Sequence, residues 1–363
     1  MPLVLAPPPD DDCPPLGDIT PPIRPAPTPG PPLVETASEF LSRYIPVDWV
    51  IDGLLIRGYV YGLTSRPNHG KTTVATAISL HVACGEPFAG AEVQGGNVLM
   101  LLGENAENSR LMLIAAAQHL DLSTSNVEIV STAAPLEGIL EDVIAGCRRD
   151  DYALVVVDSS AAYYSGGDEN DNVQAGEHAR TLRRLTSLPG RPAVLVCCHP
   201  TKAAERENMY PRGGSAFLAE IDTNLTIWAS DGTIELSHNK VRGPVIDALS
   251  LRVELVTLQG YVDRKARPVQ APVASPMTDV QAAIAHKATV EADNRLLFAL
   301  LHHPKESLAE WARLCGWLTA ANLPEKYKVS RALVRLQTDK LVSKSRHGWY
   351  LTSAGKSEAE QID

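Results

Sequence analysis

The 363-residue sequence is poor in aromatic side chains (5%), and its six cysteines include no CxxC pair. It has no apolar run of roughly 18 residues, so nothing in it spans a membrane as a helix. Cys13, Cys84, Cys147, Cys197, Cys198 and Cys315 lack the spacing of a metal site or a disulfide framework, and Cys197–Cys198 sit inside an apolar run. They read as reduced, buried thiols of a cytoplasmic protein. The opening MPLVLAPPPDDD has neither a basic start nor a long apolar core, which excludes a secretory signal. Positive charge is also scarce. With 33 Lys and Arg against 43 Asp and Glu, the net charge of −10 argues against a chain coated in nucleic acid, while leaving room for a local basic site.

What the sequence does hold is unevenly spread. Residues 1–35 contain 13 of the 27 prolines, a composition that buries no core and predicts a disordered or polyproline tail. A short helical pattern follows over Thr36–Tyr44. Apolar runs then alternate with helical patterns: Tyr59–Leu63, Asn97–Gly103, Val127–Ser131, Tyr152–Val157 and Pro192–Cys198 read as strands. Glu107–His119, Leu136–Arg149 and Val173–Leu188 read as helices. This alternation predicts an α/β fold with a doubly wound, mostly parallel sheet, in which ligands gather outside the carboxyl ends of the strands. Thr223–Trp228, Thr233–His238 and Leu251–Leu258 predict antiparallel strands extending that sheet, with Asp231-Gly232 as a hairpin turn. Arg264–Pro276, rich in Pro, Ala and Val, reads as a linker. The expected division is a tail 1–35, an α/β domain 36–263, a linker 264–285 and a C-terminal domain 286–363.

The chemistry concentrates where the first of these strands ends. Ser65-Arg66-Pro67-Asn68-His69-Gly70 is a turn-rich loop, and Lys71-Thr72-Thr73 opens the helical pattern after it. Strand, loop, Gly-Lys-Thr and helix is the order of a phosphate-binding loop, whose backbone N–H groups and helix N-terminus surround a polyphosphate. Lys71 is placed to reach the β and γ phosphates of ATP, and the Thr72 hydroxyl to ligate Mg²⁺. Ser65 stands where the pattern has its first glycine, which predicts some backbone strain there. Asp158 closes an apolar strand expected beside the phosphate-loop strand and suits the metal shell as a hard oxygen ligand. Glu104 closes a neighbouring strand and is positioned to orient or deprotonate water. His199 ends a third strand, and two cationic clusters follow, one at Arg212 and one at Lys240 and Arg242, the latter pair on one face of a strand.

From His286 onward 12 Lys and Arg face 9 Asp and Glu, so this end is +3 and the rest −13. Helical patterns over Glu291–His303, Ser307–Trp317 and Glu325–Leu341, then a hairpin Val342–Leu351 with His347-Gly348 at its tip, predict a winged helix-turn-helix. On the third helix Val329, Leu333 and Leu336 form the expected inward stripe. Lys328, Arg331 and Arg335 form an expected DNA-facing side, joined by Lys344, Arg346 and His347 of the wing.

Taken together, PNHGKTT, LLGEN, LVVVDSS, CCHPTK, PRGGSA and NKVRGP resemble, in order, motifs of the RecA-like ring ATPases, in particular the RepA-like plasmid and phage replicative helicases related to DnaB. The resemblance covers roughly residues 36–260, with NKVRGP one residue short after Arg242. It implies a Mg²⁺-dependent ATPase that forms a homo-oligomeric, hexameric ring and acts as a helicase on single-stranded DNA. In that reading Glu104 activates water, His199 senses the γ-phosphate, and Arg212, Lys240 and Arg242 complete a neighbour's site. The other readings of the same residues are an ATP-switched DNA-binding regulator and a helicase-loading partner.

Overall fold

The computed structural model describes residues 34–362 apart from 45, 170, 203, 231, 245–247 and 347. The tail up to residue 33, Cys13, Asp231 and His347 therefore lie outside the described residues. Residues up to Pro46 form one unit and Val47–Asp363 another. In the first, helix α1 (Ala37–Ser42) starts at a capping box: Thr36 accepts from the Glu39 N–H, and the Glu39 carboxylate accepts from the Thr36 N–H. None of its residues is buried.

The second unit opens with a two-stranded ribbon, β1 (Trp49–Ile51) and β2 (Leu55–Ile56), before β3 (Val60–Thr64) and helix α2 (Lys71–Cys84). The chain continues through β4 (Asn97–Leu102), α3 (Ala106–Leu120), β5 (Val127–Val130) and α4 (Leu136–Gly146). Then come β6 (Tyr152–Asp158), α5 (Asn172–Arg184), β7 (Ala193–Cys198) and α6 (Gly214–Glu220). Strands β8 (Thr223–Ser230), β9 (Thr233–Val241), β10 (Leu249–Val262) and β11 (Pro268–Pro276) complete a nine-stranded sheet of order β11-β10-β9-β8-β3-β7-β6-β4-β5.

From β8 to β5 every neighbouring pair is parallel. The inner strands β3, β7, β6 and β4 are largely apolar because both their faces are covered. Met100, Leu102, Val156 and Leu195 pack with Val74 and Ile78 of α2 on one face; Leu99, Leu101, Val155 and Val194 pack with Leu140 of α4 and Leu182 of α5 on the other. Successive residues point to opposite faces, so a single run supplies two cores. Each such side chain fully buried stabilises the fold by about 1.5–3 kcal/mol.

Three expectations need correcting. β8 is parallel to β3, and the antiparallel pairing begins only at β9. The strand carrying Asp158 is not next to β3, because β7 lies between them. The segment read as a linker holds the edge strand β11, paired with β10 over Leu251–Thr257. Its prolines are compatible with a strand for a geometric reason. Met277 donates its N–H to Ser250 O across the pair, so in the alternation of the ladder Pro272 and Pro276, of opposite parity, turn their nitrogens away from β10. An edge strand tolerates proline at such positions.

Beyond the sheet, α7 (Asp279–His302) starts at a Thr278–Gln281 capping box, well before the expected Glu291. α8 (Leu308–Leu314), α9 (Lys326–Thr338), a hairpin of β12 (Val342–Ser345) and β13 (Gly348–Leu351), and α10 (Ser353–Ala359) follow. These elements have their own core, built around Leu296, Leu300, Trp311, Val329, Leu333 and Leu336. Among the described residues no helix is long and apolar enough to cross a membrane.

Candidate active site at the rim of the sheet

Parallel strands β3, β7, β6 and β4 end at one rim, and each delivers a polar residue just past its last apolar one. After β3 the loop 65–70 turns back into α2, whose N-cap Gly70 is left-handed at φ 85°. A Cβ there would also stand 2.9 Å from Ile234 Cδ1, but it is the left-handed conformation that calls for glycine. Of the loop's non-glycine residues only Asn68 is left-handed (φ 63°). Ser65 therefore carries no left-handed strain. It is buried and donates to Arg66 O at 3.0 Å.

Lys71 folds back over the loop, with Nζ 3.3 Å from Ser65 O and 3.4 Å from Ser65 Oγ. Both are long contacts to neutral acceptors, so the ammonium is loosely held. Thr72 is half-buried and Thr73 buried; Pro67 and Asn68 are exposed. Arg66 turns away from the loop, donating to Ala204 O at 3.1 and 2.6 Å with its guanidinium 5.3 Å from the centre of the Trp228 ring. His69 meets the same ring edge-on at 5.5 Å and accepts from the Ala229 N–H at 3.3 Å. Burial first, then Arg66 and Lys71, hold its imidazole below the usual histidine range.

Asp158 is 6% exposed. Burial pushes its carboxyl above the ordinary aspartate value and nearby Glu104 adds to this, while the Thr72 hydroxyl and Lys71 pull the other way. A buried carboxylate facing a hydroxyl is a hard oxygen pair that fits Mg²⁺, which keeps several waters and takes further oxygens from the phosphates.

Glu104 lies beyond Gly103, whose N–H donates to Asp158 O at 2.9 Å. Its side chain is half-exposed; Oε1 accepts from Ser159 Oγ, and His199 Nε2 lies 3.4 Å from the same oxygen. The rim thus joins Lys71, Thr72, Asp158, Glu104 and His199. Arg212 is near by: it donates to Pro200 O at 3.3 Å and pairs with Glu169 at 3.1 Å. Lys240 and Arg242 are elsewhere. Lys240 donates to Ile221 O at 2.7 Å and to Leu218 O, and Arg242 to Ala219 O at 2.6 Å, so both clasp the last carbonyls of α6. Burial and the Arg242 charge hold the Lys240 ammonium below its usual value.

The C-terminal cations do not share one face. Arg335 is turned inward onto Asp293 of α7, with hydrogen bonds of 3.0 and 2.5 Å. Lys328 lies 5.2 Å from the Trp317 ring centre, Arg331 4.9 Å from that of Tyr327 and Lys344 5.4 Å from that of Trp349; Arg346 is exposed. The expected three-cation side of α9 is corrected to Lys328 and Arg331, because a carboxylate on another helix captures Arg335.

Sequence reasoning missed two parts of the site. Ser159, bonded to Glu104, was legible as the residue after Asp158 but carried no signal of its own. Buried Asn224 takes the Thr64 hydroxyl at 2.7 Å and donates to Asn239 at 2.7 Å and Met209 O at 3.1 Å, tying the end of β3 to β9 and to the loop after His199. Cavity size does not mark the site. A cavity of about 610 Å³ opens instead between β5 and α4, lined by Ile129, Ile139, Val143, Glu128, Asp142 and Arg148, without a phosphate-binding loop.

No curated protein matches the chain. Residues 26–205 match the family model of an AAA domain, a stretch that holds the phosphate loop, Glu104, Asp158 and His199 and stops short of Arg212, so that this part of the chain is similar to AAA-type, P-loop NTPase-like domains.

Proposed function

We propose that this protein is a Mg²⁺-dependent ATPase that works as a ring of identical subunits, hexameric by the RepA-like resemblance, and moves on single-stranded DNA as a helicase of replication. The rim supplies the hydrolytic half. The loop N–H groups, the start of α2 and Lys71 bind the triphosphate. Thr72 and Asp158 would hold Mg²⁺, which when bound neutralises phosphate charge. Glu104 accepts a proton from the attacking water, and His199, beside Glu104, responds to the γ-phosphate.

The observation that carries the oligomer is the position of Arg242. Its N–H donates to Asp222 O at 2.8 Å, and the Asp222 N–H donates to Val60 O at 2.8 Å. Arg242 is thus level with the start of β3, whereas the phosphate loop leaves β3 at its far end, about 13 Å of strand rise away. A cation there does not serve its own Lys71 site, but it suits a neighbour's γ-phosphate, as arginine fingers do. Lys240 accompanies it, and Arg212 lies at the rim itself. The test is ATP turnover with and without single-stranded DNA, beside the mass of the particle in ATP and in ADP. Stimulation by DNA and an ATP-dependent multimer are expected; a protein that stays monomeric in both nucleotides overturns the reading. Arg242→Ala mixed with Glu104→Gln should regain turnover, since one subunit lends the finger and the other the glutamate.

A second reading is an ATP-switched DNA-binding regulator, with the C-terminal helices and hairpin acting as a winged helix on duplex DNA through Lys328, Arg331, Lys344 and Arg346. A specific observation favours it: two cations of the rim loops are already paired, Arg206 with Glu235 at 2.6 Å and Arg212 with Glu169. It predicts tight duplex binding and turnover indifferent to single strands. The helicase-loading role predicts activity only with a partner present.

A further inference from the structure

We infer that Ser159 is a positioning residue for hydrolysis: its hydroxyl, by donating to Glu104 Oε1, fixes the carboxylate so that Oε2 faces the attacking water. The inference rests on the reading of Glu104 as the water-activating group. Three observations carry it. Ser159 is 1% exposed, so its hydroxyl is not shared with bulk solvent, and Glu104 Oε1 is its acceptor. His199 Nε2 approaches the same oxygen at 3.4 Å, so Oε1 is taken from two sides, and Oε2 has no protein partner among the described residues.

The third observation is that both backbones are fixed independently of this bond. A Cβ on Gly103 would stand 2.7 Å from Ala162 Cβ and 2.8 Å from Tyr163 Cε2, so the residue before Glu104 packs directly on the turn that follows Ser159. On the other side Ser160 Oγ is 3.0 Å from Nε2 of buried His178, which stacks against Phe217 and meets Tyr164 edge-on. Donor and acceptor are held in register by packing, and the side chain of a half-exposed glutamate is thereby ordered. An unanchored glutamate at this exposure samples several rotamers and loses that time to unproductive geometry.

In the step served, the water oxygen bonds to the γ-phosphorus as the bond to the β–γ bridging oxygen breaks. ADP leaves with that electron pair, and the water's proton passes to Glu104 Oε2 and on to solvent. Ser159 neither gains nor loses a proton.

The experiment compares Ser159→Ala, Ser159→Cys, Glu104→Gln and the double variant Ser159→Ala/Glu104→Gln, measuring kcat and KM for ATP and the affinity for a fluorescent ATP analogue. We expect Ser159→Ala to lower kcat about 10- to 100-fold with nucleotide affinity unchanged. Ser159→Cys, with a weak S–H donor, should fall between. In the Glu104→Gln background Ser159→Ala should remove nothing further, because its effect runs through that carboxylate. Wild-type kcat in Ser159→Ala, a loss confined to nucleotide affinity, or an equal loss in the Glu104→Gln background would each overturn the assignment. Glu104→Gln alone reports on the parent reading: if it turns over ATP like the wild type, the parent reading is wrong, whatever Ser159 does. Should Ser159→Ala not fold, Ser159→Cys and its double variant decide by the same criteria.

Discussion

Lys71 at the rim of the sheet and Arg335 among the C-terminal helices are held in opposite ways. At the rim Lys71 hangs on two neutral oxygens at 3.3 and 3.4 Å. Among the C-terminal helices Arg335 is gripped bidentately by Asp293, both side chains 14% exposed, and Lys328 and Lys344 lie over tryptophan rings. A cation resting on weak acceptors gives them up cheaply when a phosphate arrives. One bound to a desolvated carboxylate does not, since separating them leaves a buried charge unpaired. Lys71 is accordingly free to be given up to a ligand and Arg335 is not, although both are basic residues on helices.

The strongest test of that contrast is to exchange the readouts. Lys71→Ala should cut ATP turnover about 100- to 1000-fold while the melting transition stays where it was; a variant that melts early instead would place Lys71 in the framework. Arg335→Ala should do the reverse, costing about 3 kcal/mol of stability in urea unfolding because Asp293 is left behind, with turnover per folded molecule intact. Equal loss of turnover in both variants would dissolve the distinction.

A buried histidine beside the rim makes the fold sensitive to acid. Burial holds His178 down to about 4 from its usual 6.5, and Glu169, Arg212 and His199 line the same small cavity. The unfolded chain takes up this proton below pH 6.5, and the folded chain only near pH 4. The site therefore costs nothing above 6.5, and stability falls as pH drops, by about 3 kcal/mol at pH 4. His178→Phe should be flatter than wild type over that window. An unchanged acid slope would show that His178 titrates normally. The smallest expected effect is at the hairpin: if the C-terminal helices and hairpin bind DNA, Lys344→Ala should reduce the salt-dependence slope of that binding by about 1. No change would remove Lys344 from the interface.

The two regions also differ in how far a sequence exposes them. Rim residues were legible because a strand end is fixed by backbone pattern: an apolar run that stops at Asp158, Glu104 or His199 brings the next polar residue to the carboxyl edge whatever the neighbouring side chains are. Strand order was not legible. Nothing in LVVVDSS or VLVCC says that β7 inserts between β3 and β6. The edge strand Pro268–Pro276 was hidden by its own prolines, which signal a linker unless their parity against the partner is known. Arg335 was misplaced for a related reason. Helical spacing groups it with Lys328 and Arg331, but Asp293 sits 42 residues earlier and decides its direction. Pairings between distant segments, in strands or in ions, are what spacing does not report.

The proposed function requires ATP to be hydrolysed at this rim with Glu104 as the water-activating group. The most direct measurement is nucleotide affinity and steady-state turnover of Glu104→Gln beside wild type, in Mg²⁺ and ATP. The prediction is undiminished ATP binding with turnover lower by about 100-fold or more. Turnover at the wild-type rate would contradict it.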